Sequence, residues 1–106
     1  MDSRIGQILT VLGAKLREHY GSRLARLIVY GSQARQEADP QSDIDVLVVL
    51  HGEVSPCEEI SQTAEIVAGI SLQHNAVVSC VFVSEAAYEH ERSPLLLNAR
   101  REGIPA

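Results

Sequence analysis

A chain of 106 residues is long enough to bury the core of one compact domain, and we expect residues 1–106 to form a single domain. The net charge is −5, and all Lys and Arg residues lie at or before Arg35 or at or after Arg92. The centre of the chain is therefore acidic and should repel a bare phosphate backbone. This excludes direct nucleic-acid binding by the chain alone. No apolar run approaches the roughly 20 residues that cross a bilayer, and the N-terminus resembles no signal peptide. We therefore expect a cytoplasmic protein without membrane contact, in which Cys57 and Cys80 are free thiols.

The first half of the chain predicts a helix followed by two strands. Apolar residues recur at helical spacing from Ile5 to Leu16, behind a possible cap at Asp2 or Ser3 and before a stop at Gly21. The apolar stretch 24–30 then predicts a buried strand that ends in the Gly31-Ser32 turn. After a polar stretch, residues 43–50 predict a second strand with two acids at its start.

The second half predicts a long helix, a third strand and two short helices. Ser55-Pro56-Cys57-Glu58 has the form of a capping box with proline at the first helical position. Residues 77–83 are β-branched and apolar, and Ser84 and Ser93 can each cap a short helix, the last one ending near Gly103. The predicted inward face of the long helix is Ile60, Ala64, Val67 and Ile70, with Glu58, Glu59 and Glu65 outward. The order of elements predicts an α/β (α+β) fold, a small mixed sheet with helices packed on one face.

Asp43 and Asp45 are the strongest chemical feature of the sequence. Side chains two positions apart on a strand project from the same face, about 7 Å apart. Ile44 and Val46 then alternate onto the opposite face, where the helices should pack. Two carboxylates at the start of an apolar strand repel each other unless a cation lies between them, and Mg²⁺ prefers carboxylates together with phosphate oxygens. The pair therefore predicts a metal and polyphosphate site.

The Gly31-Ser32 turn offers the matching phosphate ligands. Without Cβ bulk, backbone N–H groups can approach a phosphate, and the Ser32 hydroxyl can donate to it. Arg35 follows closely and can place its guanidinium on the same oxygens. Each piece alone is a weak signal, since a Gly-Ser pair is usually only a turn and an arginine is usually a surface residue.

Gly31-Ser32-Gln33-Ala34-Arg35, followed by Ser42-Asp43-Ile44-Asp45-Val46 and an apolar strand, resembles the motif of the DNA polymerase beta nucleotidyltransferase superfamily. The chain is similar in particular to the minimal nucleotidyltransferases, from the first helix through the third strand. This resemblance implies that Gly31 and Ser32 bind the phosphates of a nucleoside triphosphate, with ATP the expected one. It also implies that Asp43 and Asp45 are catalytic ligands of Mg²⁺ or Mn²⁺. Nucleotide-binding roles for Arg35 and Ser42 carry over less securely.

The sequence departs from the family pattern at two places. Gln36 stands where the motif usually continues with glycine, which restricts the backbone of the loop. Active members also carry a third carboxylate on the next core strand, and residues 77–83 contain none. Ser79 or Cys80 occupies that position, and Glu85 just beyond the strand is a possible substitute. Without the third carboxylate, the metal is held less firmly and the base for an attacking hydroxyl is missing.

Three hypotheses follow from these residues and the resemblance. The first is an enzyme that transfers a nucleoside monophosphate to a hydroxyl of an unknown acceptor. The second is a catalytically weak binding module, the antitoxin-like partner of a HEPN-domain protein, and the third is a structural homo-oligomer. We also expect a protein partner to contact the first helix and residues 95–97, because an isolated site of this size is incomplete.

Overall fold

The computed structural model describes residues 3–31 and 43–106, and within them two long helices, two short helices and four strands follow one another. In chain order these elements are α1 (Ser3–Tyr20), a 3₁₀ turn (Gly21–Arg23), β1 (Leu24–Tyr30), β2 (Ile44–Leu50), α2 (Pro56–His74), β3 (Val78–Ser84), α3 (Glu85–His90), α4 (Pro94–Glu102) and β4 (Ile104–Pro105). Every predicted helix and strand outside residues 32–42 is present. The predicted strands 43–50 and 77–83 each begin one residue later than expected.

The four strands form one mixed sheet in the order β3-β2-β1-β4. The β1 strand is antiparallel to β2 and β4, and β2 is parallel to β3. Parallel strands cannot be joined by a tight turn, and α2 provides the crossover that brings the chain from the end of β2 back to the start of β3. The starts of β2 and β3 therefore lie at the same end of the sheet.

Alternation along β2 divides the apolar residues between two faces. Ile44, Val46 and Val48 are fully buried in the larger cluster, together with Leu12 and Leu16 of α1. This confirms that the even-numbered residues of β2 face the long helices. Burial of these side chains removes their apolar surface from water, which stabilises the fold by roughly 25 cal/mol per Å². This burial is the main stabilisation of the fold.

The opposite face of the sheet carries a second, smaller cluster. Leu47 and Val49 of β2 pack there against Leu96 and Ala99 of α4 and against Ile28 of β1. The predicted mixed sheet with packed helices is confirmed. The helices were expected on one face only, but α4 packs on the second face, and the short strand β4 was not predicted. Nine residues of helix and two of strand give too little periodicity to show which face they cover.

The buried face of α2 differs from the predicted one. Glu59, predicted to point outward, is only 4% exposed, whereas Ile60, predicted to point inward, is 53% exposed. Glu59 lies inward because Tyr20 Oη donates a hydrogen bond to its Oε1 at 3.0 Å and Arg23 Nη2 donates to its Oε2 at 2.8 Å. These hydrogen bonds from a charged group and a hydroxyl replace the hydrogen bonds to water that the carboxylate loses on burial.

The start of α2 also differs in one detail. The helix begins at Pro56 as predicted, but the Ser55 side chain makes no capping hydrogen bond, so the expected capping box is not formed. The Ser55 carbonyl instead accepts the Glu59 N–H at 3.0 Å, the first bond of the helical ladder. Both cysteines are free. Among the described helices, none is long and apolar enough to pass through a bilayer.

Candidate functional site

Asp45 lies in the central strand β2, one residue after the strand begins. Its register partners are Tyr30 in β1 and Ser79 in β3. Register partners on neighbouring strands project from the same face of a sheet. Tyr30, Asp45 and Ser79 therefore form a row across three strands, at the end of the sheet where β1 ends and where β2 and β3 begin.

Gly31 lies against the Asp45 carboxylate. It follows the last residue of β1 and has a φ of +73°, in the left-handed region that glycine adopts without strain. A Cβ atom at this position would lie 2.8 Å from Asp45 Oδ2. The lack of a side chain at Gly31 thus leaves room for the carboxylate beside the Gly31 backbone.

Asp43 is the exposed residue immediately before β2, and it acts on Asp45 through its charge. Burial raises the pKa of the half-buried Asp45 carboxyl, and the negative charge of Asp43 raises it further. Burial likewise raises the pKa of Tyr30, with the charge of Asp45 as a second cause. The two aspartates therefore interact at this end of the sheet, where a cation would favour both ionised carboxylates.

Ser79, not Cys80, occupies the position beside Asp45. Ser79 is paired with Asp45, whereas Cys80 is paired with Val46 and packs against the core that α1 and α2 cover. Burial raises the pKa of the Cys80 thiol to about 12, so it stays protonated at neutral pH. Among residues 3–31 and 43–106, no group of three or more His, Cys, Asp or Glu side chains could hold a metal ion.

Within one copy of the chain, Glu85 does not take the place of the third carboxylate that β3 lacks. It follows Ser84, the register partner of Leu50, at the opposite end of the sheet. It lies six positions after Ser79, about 20 Å along an extended strand. Glu85 Oε1 lies 3.6 Å from His51 Nδ1 instead. The hypothesis of a substitute role for Glu85 is therefore wrong for a single copy of the chain.

The predicted site residues fall into two groups. The structure brings Gly31 and Asp45 together and places Asp43 beside them. Ser32, Arg35 and Ser42 lie outside the described residues. Sequence reasoning missed Tyr30, which ends β1 directly before the Gly31-Ser32 turn and pairs with Asp45. Its position next to the turn was the available signal, but the pairing depends on the register of β1 with β2.

The mixed sheet, the glycine turn and the aspartate pair at one sheet end define a protein with a nucleotidyltransferase fold. A family model for the nucleotidyltransferase domain matches residues 12–95, which includes β1, the turn, β2, α2 and β3. The chain belongs to this nucleotidyltransferase domain family.

Three solved structures have a fold similar to that of this chain. A candidate minimal nucleotidyltransferase is 28% identical with a TM-score of 0.61, and the match covers 100% of this chain and 97% of that one. A toxin–antitoxin structure with AMP-PNP is 17% identical with a TM-score of 0.60, covering 89% of this chain and 68% of that one. A candidate nucleotidyltransferase from Sulfolobus solfataricus is 18% identical with a TM-score of 0.56, covering 99% and 86%. The search of curated proteins gave no match.

Proposed function

We propose that this chain binds a nucleoside triphosphate, with ATP the expected one, together with a divalent cation at Asp43 and Asp45, and transfers the nucleoside monophosphate to a hydroxyl of an acceptor. The observation that carries the proposal is the close approach of Gly31 to Asp45, which places the Gly31 backbone beside a carboxylate. Phosphate held by the turn and a cation held by the carboxylate would then meet at one place. Membership of the nucleotidyltransferase domain family supports the same reaction class.

The residues present fit a hard divalent cation such as Mg²⁺ or Mn²⁺. Asp43 and Asp45 offer carboxylate oxygens, and Ser79 adds a hydroxyl in the same row. The raised pKa of Asp45, from burial and then from the charge of Asp43, indicates that no positive charge of the described residues 3–31 and 43–106 offsets the repulsion between the two carboxylates. A bound cation would supply that charge and join the carboxylates to the phosphate oxygens.

The residues of the chain have separate roles in this proposal. Asp43 and Asp45 orient the cation, while the Gly31 turn and the Ser32 hydroxyl bind phosphate oxygens. Arg35 and Ser42 are proposed to add donors to the same phosphates. Tyr30 is half-buried and in register with Asp45, and it forms the β1 side of the row.

A second function is favoured by the serine in the third strand. Because Ser79 stands in register with Asp45, the described residues supply no base on β3 for an acceptor hydroxyl. The chain then acts as a nucleotide-binding module with weak turnover, the antitoxin-like partner of a HEPN-domain protein that completes the site. One neighbour of the same fold was solved as a toxin–antitoxin structure with AMP-PNP.

The test measures binding and transfer separately. Calorimetry of ATP with Mg²⁺ should show binding that is lost with a chelator, and Asp45→Asn should weaken it by about tenfold or more through the lost charge. Asp43→Asn should act in the same direction. Glu65→Gln is the matched control, because it removes an exposed carboxylate of α2. Equally tight binding in chelator would exclude the metal role.

Transfer is followed with labelled ATP and Mg²⁺, with and without the protein encoded beside this chain. Pyrophosphate release and label on the partner, abolished by Asp45→Asn, are expected for a partner-dependent transferase. Binding without release under either condition identifies the binding module. Efficient release by the chain alone would contradict the second function.

A further inference from the structure

The strand β3 forms one edge of the sheet and lacks the usual protection of an exposed edge. It pairs with β2 along Val78–Ser84, and on its other side no strand of the described residues pairs with it. Exposed edges usually carry a lysine, a proline or a bulge that prevents pairing with another chain. The sequence Val-Ser-Cys-Val-Phe-Val-Ser contains no charge and no proline, and its register is regular.

An apolar groove of about 440 Å³ runs along this edge, between β3 and the outer side of α2. Cys80 and Phe82 of β3 line it together with Ile60, Ala64 and Val67 of α2. Ile60 is 53% exposed although it was expected in the core. Because the face of α2 that points inward carries Glu59, the apolar residues Ile60, Ala64 and Val67 lie beside the unpaired edge of β3.

A second copy of this chain matches this edge as its occupant, because it offers the same uncharged strand with the same unpaired N–H and C=O groups. Two copies with a net charge of −5 repel each other overall, and an uncharged surface adds no close like-charge contact where they meet. Neither β3 nor the groove contributes a charged residue to this edge. Glu65 lines a different pocket, with Lys15 of α1, on the other side of α2.

We propose that two copies of the chain form a two-fold symmetric dimer by antiparallel pairing of their β3 strands. A two-fold axis perpendicular to the sheet gives a continuous eight-stranded sheet in which each face joins the same face of the other copy. The line along which the two β3 strands pair is called the seam. The two α2 helices then lie on the same side of the seam, and the two grooves close against each other. Asp45 is on the opposite face, so nucleotide binding does not require the dimer and the proposed function stands or falls separately.

The size of the seam sets the strength of the dimer. A strand of seven residues is about 23 Å long, and the shortest dimension of the molecule is 20 Å. The footprint is therefore on the order of 450 Å² per copy, at the low end for specific interfaces. The dimer is expected to be concentration-dependent.

Size-exclusion chromatography with light scattering from low micromolar to near-millimolar protein tests the dimer. The mass should rise from 11.5 kDa toward twice that value. The double variant Ile60→Glu with Ala64→Glu places like charges across the seam at exposed positions, and should raise the dissociation constant by about tenfold or more. Leu72→Glu is the matched control, since Leu72 is 84% exposed on the same helix and does not line the groove. Circular dichroism verifies that each variant is folded.

Amide hydrogen exchange identifies the surface. Exchange in Val78–Ser84 should slow as the protein concentration rises, and the double variant should remove that dependence. A chain that stays monomeric near millimolar concentration overturns the proposal, whether or not another protein occupies the groove. A dimer with unchanged exchange in β3, or equal weakening by Leu72→Glu, overturns it as well.

Discussion

At the scale of single residues, Gly31 connects the backbone of the turn to the chemistry of Asp45. Two independent features of the position require glycine. Its φ of +73° is strained for any residue with a side chain, and a Cβ would lie 2.8 Å from Asp45 Oδ2. The first requirement concerns stability, and the second concerns the position of the carboxylate that is proposed to hold the cation.

Gly31→Ala is therefore expected to act on both properties. The positive φ should cost about 1–2 kcal/mol of unfolding free energy, and displacement of Asp45 should weaken Mg²⁺-dependent ATP binding by about tenfold. Gly52→Ala is the matched control, because Gly52 has a φ of +82° and a Cβ there would meet no atom within 4 Å. Denaturant unfolding and calorimetry measure the two effects. If Gly52→Ala weakened binding as much as Gly31→Ala, the contact with Asp45 would not be the cause.

The residues of the candidate site could be predicted only as far as local rules reach. The spacing of Asp43 and Asp45 follows from strand geometry alone, so the pair could be found in the sequence. The roles of Ser79 and Tyr30 could not, because each depends on the register of a neighbouring strand with Asp45. For the same reason the sequence left Ser79 and Cys80 as alternatives, and the parallel register of β3 decides between them.

At the scale of elements, the helix starts differ in how their first N–H groups are satisfied. Ser84 Oγ accepts the Ala87 N–H at 3.1 Å at the start of α3. Ser55 has an extended backbone at the start of α2, but its side chain makes no capping bond there. Proline at the first position of α2 removes one unsatisfied N–H. It does not explain the missing cap, because α4 also begins with proline and Ser93 Oγ still accepts the Leu96 N–H.

Replacing these serines should therefore give unequal effects. Ser84→Ala should lower the unfolding free energy by about 1 kcal/mol through the lost cap, while Ser55→Ala should change it by less than about 0.5 kcal/mol. Chemical denaturation of both variants against the wild type measures the difference. Equal losses would mean that the capping bond of Ser84 contributes nothing of its own.

The inward face of α2 could not be predicted from the periodicity of apolar residues alone. Spacing alone selected Ile60 and placed Glu59 in solvent, because a lone carboxylate is costly to bury. Arg23 and Tyr20, which satisfy Glu59, are 36 and 39 residues away along the chain. Their arrangement depends on how α1 and the 3₁₀ turn pack against α2, which no local pattern encodes.

At the scale of the whole molecule, Glu59 joins α1, the 3₁₀ turn and α2 through its bonds with Tyr20 and Arg23. Arg23 Nη2 also donates to the Glu53 carbonyl at 2.7 Å, which holds the segment before α2. Tyr20 is in addition part of the main core cluster. Loss of charge on Glu59 therefore acts on the packing of both long helices against the sheet.

The pH dependence of unfolding tests this role of Glu59. Burial alone would raise its pKa, but the hydrogen bonds from Arg23 and Tyr20 and the charge of Arg23 outweigh burial and lower the pKa below its ordinary value of 4.5. Since the folded protein holds the ionised form more strongly than the unfolded chain does, Glu59 stabilises the fold above pH 4.5, and this stabilisation is lost as the pH falls through the lowered pKa. The wild type should therefore lose stability in acid faster than Glu59→Gln, which has no carboxyl to protonate.

Tyr20→Phe removes one hydrogen-bond donor to Glu59 and should cost about 1 kcal/mol of unfolding free energy near neutral pH, with a smaller loss of stability in acid than the wild type. Denaturant unfolding from pH 7 to pH 3 measures the three curves, and parallel curves for wild type and Glu59→Gln would show that Glu59 protonates alike in the folded and unfolded chains.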